Sequence, residues 1–90
     1  MRNEKPRPLS SEHLEERART MTLKELERYA IPEELRPDLT LGIQFEGDFR
    51  VYELYVPGKR PSDARVISRA RLNIYSGEGV VEVIGLSLKS

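Results

Sequence analysis

The sequence predicts an α+β fold: two N-terminal helices packed on one face of a four-stranded antiparallel β-meander, in the order ααββββ. Three observations carry that expectation. Apolar residues recur at a helical period up to about residue 30 and at a period of two from Leu39 onward. Clusters of Gly, Pro, Asp and Ser fall where one segment gives way to the next. The turns between most of the extended runs are short, which favours neighbouring strands.

Residues 1–8 are polar, contain two prolines and show no periodicity. They read as a flexible N-terminal arm, and residues 9–90 as a single α+β domain. The first helix starts after Ser10. With Ser10 as N-cap, Leu9 and Leu14 take the N′ and N4 positions of a hydrophobic staple. Leu14, Ala18 and Met21 then form a narrow apolar stripe, with Glu15 and Arg19 as an i,i+4 pair. A second helix is expected from Thr22, because Thr22 and Glu25 have the spacing of a capping box, with Met21 and Leu26 as a further staple. Pro32 can open a short helical turn, and Pro37 closes it.

Residues 39–46 alternate Leu39, Leu41, Ile43, Phe45 against Thr40, Gly42, Gln44, Glu46, the pattern of a half-buried strand. Gly47-Asp48 is a two-residue hairpin signal. Pairing Glu46 with Phe49 across it sets Phe45 opposite Arg50, Ile43 opposite Tyr52, Leu41 opposite Leu54 and Leu39 opposite Val56. Directly opposed residues share a face. The core side is therefore Leu39, Leu41, Ile43, Phe45, Tyr52, Leu54 and Val56. A loop follows at residues 57–63, a long strand at 64–75, and a last strand at 80–88. An even-length loop between these last two puts Val81 and Val83 on the face of Leu72 and Ile74. An odd one puts Ile84 and Leu86 there instead. Both registers remain open, as does a crossover by the 57–63 loop.

Composition narrows the function. The 90 residues are 38% hydrophobic and 33% charged, with 15 basic and 15 acidic side chains and zero net charge. A chain of this size buries roughly 60–65% of its unfolded surface, so one core must serve. No apolar run approaches the ~20 residues of a membrane span, and the start lacks the apolar stretch of a secretory signal. With no cysteine there is no disulfide framework and no thiolate site, and a cytoplasmic location is expected.

No constellation points to catalysis, so the expectation is a protein that is not an enzyme. His13, the one histidine, has Glu12 and Glu16 beside it, but metal sites need three or four convergent ligands and the plainer reading is a solvated side chain. Glu46, Asp48 and Glu53 surround a turn rather than a cleft. Gly77 and Gly79 precede no helix and no lysine, so they make no phosphate loop. No cofactor or metal is expected.

Charge is segregated, however. Residues 59–71 carry +4 and residues 12–34 carry −3. In extended geometry Arg65, Arg69 and Arg71 point to one side of the third strand, about 6.6–6.8 Å between alternate residues. On the non-core side of the first hairpin stand Phe49, Val51 and Tyr55, with Glu53 among them. Aromatic and arginine side chains together on an outer face suggest a partner site. The expected function is therefore a non-catalytic protein-binding module: a small inhibitor, an immunity-type antitoxin or a regulatory subunit. It would bind another protein or a second copy of itself through Phe49, Val51, Glu53, Tyr55, Arg65, Arg69 and Arg71. The alternative is nucleic-acid binding through Lys59, Arg60, Arg65, Arg69 and Arg71, against which stands an isoelectric point near 6.6. A water-facing sheet surface or intramolecular cover of the outer face would be the duller explanations.

Overall fold

The computed structural model describes residues 7–89. Residues 1–6 of the expected arm lie outside the described residues. Arg7 and Pro8 are exposed, and by Leu9 the chain is fastened, its N–H donating to the Ile74 carbonyl at 2.7 Å.

The fold is α+β, with one long helix rather than two. Helix α1 runs unbroken over Ser11–Leu26. Its start is the expected one: Ser10 accepts from the His13 N–H at 3.1 Å, and Leu9 and Leu14 both join the core. The expected second start at Thr22 is not used. Glu25, instead of reaching back to an N-cap, accepts from Arg28 Nη1 at 3.0 Å. The physical reason is the lack of a breaker. No Gly or Pro lies between Ser10 and Ile31, and a new start would orphan backbone groups on both sides of the break. Keeping Thr inside a helix costs only about 0.5 kcal/mol against alanine. Pro32 restricts Ile31 to extended backbone. There the short strand β1 (Tyr29–Ala30) pairs with β6 (Ser87–Leu88), and the Lys89 N–H satisfies the Arg28 carbonyl at 2.9 Å. The 3₁₀ turn Glu33–Asp38 follows.

The main sheet is antiparallel in the order β2-β3-β4-β5, formed by β2 (Thr40–Glu46), β3 (Phe49–Val56), β4 (Arg65–Asn73) and β5 (Gly79–Val83). The first hairpin has the register expected of a two-residue turn, from Glu46 opposite Phe49 to Leu41 opposite Leu54. Gly47 has φ +57° and Asp48 does not share the positive sign, the φ pattern of a type II′ turn. Leu39 stands just outside the ladder. Between β4 and β5 the Asn73 N–H donates to the Glu78 carbonyl at 2.8 Å, leaving a four-residue loop, residues 74–77. The Asn73 side chain accepts from the N–H groups of Tyr75 and Ser76, and Gly77 supplies the left-handed residue at φ +74°. An even loop keeps Val81 and Val83 opposite Ala70 and Ser68, on the helix side. The single last strand expected over 80–88 is in fact two, β5 and β6, with Gly85 between them.

One residue changes the faces of β4. Tyr55 pairs with Val66 and Leu54 with Ser68, so Ile67 is an extra residue, a β-bulge. Upstream of it the alternation is reversed. Val66 joins Tyr55 on the outer face, while Arg65, opposite Val56, turns to the other side and donates to the Gly85 carbonyl at 3.0 Å.

Helix α1 packs on β4 and β5. The core beneath it is Leu14, Ala18, Tyr52, Ala70 and Leu72, with Leu9, Met21, Ile74 and Val81 packed at its margins. A helix about 10–12 Å wide spans roughly two strand spacings of 4.7–4.9 Å. Two helices would roof four strands; one leaves β2 open.

Candidate functional site

Consider first the outer face, where the sequence places the partner site. Phe49, Val51, Glu53, Tyr55, Arg69 and Arg71 share it, as their register requires. Arg65 does not, because of the bulge. The side chains that do meet there bind one another. Arg69 donates from Nε and Nη2 to Glu53 Oε2 at 2.9 and 2.7 Å, while Gln44 Nε2 donates to Glu53 Oε1 at 2.8 Å. The hydrogen bonds it donates to Glu53 raise the Arg69 pKa above its usual value, opposed by desolvation and helped by the charges of Glu53, Glu82 and Glu46. The Arg71 guanidinium stacks on the Phe49 ring, 3.8 Å from its centroid, and stands 3.6 Å from Glu46. Val51, between these rows, is 1% exposed. Tyr55 lies across the strand against Gly42, where its ring comes within 3.2 Å of the space a Cβ would fill. Cross-strand side chains thus cover the centre of this face, Val51 above all, while Val80 on β5 stays exposed.

For the alternative interface, the same geometry disperses the cations. Lys59 and Arg60 are exposed in the loop before β4, Arg65 lies on the opposite face, and Arg69 and Arg71 are each paired with a carboxylate. His13 is exposed on the first turn of α1, beside Glu12 and Glu16 in an open depression that also includes Glu78.

The largest group of exposed apolar side chains among the described residues is on the helix side, while Val80 on the outer face and Leu88 of β6 are exposed singly. Leu41, Ile43 and Phe45 of β2 are 45%, 47% and 74% exposed, and Leu23 on α1 is 59% exposed. Between α1 and the hairpin runs a groove of about 220 Å³, whose lining includes Ala18, Thr22, Leu23, Leu41, Leu54 and Ser68. On its rim Glu15 and Arg19 stand 3.8 Å apart. In its floor the Ser68 hydroxyl, on a residue 1% exposed, has no hydrogen-bond partner among the described residues. At the far end the Arg50 guanidinium lies over Phe45, 4.6 Å from the ring centroid, and reaches Ser11 Oγ at 3.1 Å. β2 is also the edge of the sheet. This open face is a row of the residues that the sequence assigns to the core. The signal that could have found it is supply. The chain offers a thin helical stripe against a hairpin face of seven apolar residues. No family model, curated protein or solved structure matches this chain.

Proposed function

We propose that the chain is a non-catalytic protein-binding module, of the type of a small inhibitor, an immunity-type antitoxin or a regulatory subunit, and that it docks through the helix side of β2. The observation that carries this reading is the contiguous strip of Leu41, Ile43, Phe45 and Leu23, four large apolar side chains that α1 leaves open. Contiguous apolar patches bordered by charge mark interaction sites far more often than scattered exposed leucines do. The strip has such a border in Glu15, Arg19 and Arg50. Charge segregation along the chain would speed encounter and select partners rather than add much affinity.

A photoreactive residue at position 43, compared with one at Val80 on the outer face, tests the reading. Val80 is 69% exposed and opposite Arg71, so it controls for exposure alone. Position 43 is expected to give a discrete adduct that is lost in a Leu41→Ser, Phe45→Ser double variant of unchanged circular dichroism. Equal labelling from both positions, or none, refutes it.

A further inference from the structure

We infer that the partner of this face is a second copy of the chain, stacked hairpin on hairpin about a two-fold axis. The inference rests on the protein-binding reading above and names the occupant.

The vacant space has a definite height. Stacked sheets lie about 10 Å apart, close to the thickness of an α-helix. A second hairpin can therefore lie beside α1 in the same layer and cover the two strands that α1 does not reach. The β2–β3 hairpin is itself an element of that thickness, with one apolar side. What needs a cover in one copy is a suitable cover for the other. Such reciprocity defines an isologous two-fold contact.

Each copy then completes two layers. Over the sheet of one lie its own α1 and the hairpin of its partner, and the reverse holds for the partner. Leu23 is the feature that a lone chain leaves unexplained: an exposed leucine on the side of α1 that borders the groove. In the stacked pair it meets β2 of the second copy, as Leu41, Ile43 and Phe45 of the two chains pack together. Zero net charge removes long-range repulsion between copies. The helix of the second copy also comes to lie alongside the β2 edge. That edge has no proline, lysine or bulge of its own to block strand addition; covered by the helix of the second copy, it is closed to further strands, and the contact ends as a dimer instead of growing.

Light scattering across a concentration series reads the mass, and the expected species is twice 10.4 kDa. Ile43→Asp and Phe45→Ser are each expected to shift the protein to monomer with an unchanged far-ultraviolet spectrum. Because the chain has no cysteine, a mixture of Leu23→Cys and Ile43→Cys variants is expected to form a crossed disulfide on mild oxidation. Pairing of β2 edges alone would keep those positions too far apart. A wild-type chain that remains monomeric to about 1 mM overturns the inference. So does a dimer indifferent to both substitutions, or one that forms no crossed disulfide. If the chain is a monomer whose position 43 still labels a different protein, self-association fails and the protein-binding reading stands; if nothing is labelled, both fail.

Discussion

Thr22→Ala distinguishes one helix from two by the sign of its effect. If Thr22 capped a second helix, alanine would remove the hydroxyl acceptor and cost about 1 kcal/mol. In the structure Thr22 lies well inside α1, four residues before its end at Leu26. There alanine has the higher helix propensity by about 0.5 kcal/mol. Thr22 is half-buried along the groove, so the lost methyl contact offsets part of that gain. The net expectation is a stabilisation of roughly 0.2–0.5 kcal/mol, or a midpoint raised by about 1–4 °C in a domain of this size. A cap would instead lower it by about 4–8 °C. Thermal and urea unfolding followed at the helical circular dichroism band measure this directly. A midpoint lowered by several degrees refutes a continuous α1. With it goes the account of why β2 is uncovered, since a second helix would be free to fold over the hairpin.

Two further outcomes test other parts of the structure by the same unfolding measurements. Ser68→Ala removes a buried hydroxyl that has no partner among the described residues, so stability is expected to be unchanged or to rise by up to about 1 kcal/mol, and a loss of about 1 kcal/mol or more would reveal a bond the hydroxyl makes. For the outer ion pair, Arg69→Ala is expected to cost more than Glu53→Ala, because the Glu53 side chain is 15% exposed and that of Arg69 is 40% exposed. The stranded carboxylate cannot hydrate as the stranded guanidinium can; about 1–2 kcal/mol against under 1 is the expected order, and the reverse ranking refutes the assignment.

Local chemistry decided how much of this architecture the sequence revealed. The first hairpin was legible to the residue, since a two-residue Gly47-Asp48 turn leaves one pairing for Glu46 and Phe49. The Ser10 cap was legible for the same reason: its hydroxyl serves an N–H three residues away. Thr22 and Glu25 have the same local spacing, yet whether they start a helix depends on whether the preceding turn has ended. Residues 18–21 carry nothing to end it. The bulge at Ile67 was invisible, because it concerns how many residues of β4 face a fixed length of β3, and no side chain announces that count. The candidate face follows from the continuity of α1 through Thr22. Alternation separates the two sides of the hairpin correctly, but which side stays open depends on how many helices are available to cover it.

The extra residue in β4 also makes this strand unusually sensitive to the length of its neighbour. One residue added to β3 between Leu54 and Tyr55 would give Ile67 a partner, rotate everything before it in β4 by half a turn and set Arg65 in line with Arg69 and Arg71. The three-cation row absent from the folded chain would then exist, without any substitution, at the expense of the fully buried Ile67 side chain. For descendants of this sequence, an indel at that point would thus redirect the surface chemistry more sharply than most point changes on either side of it.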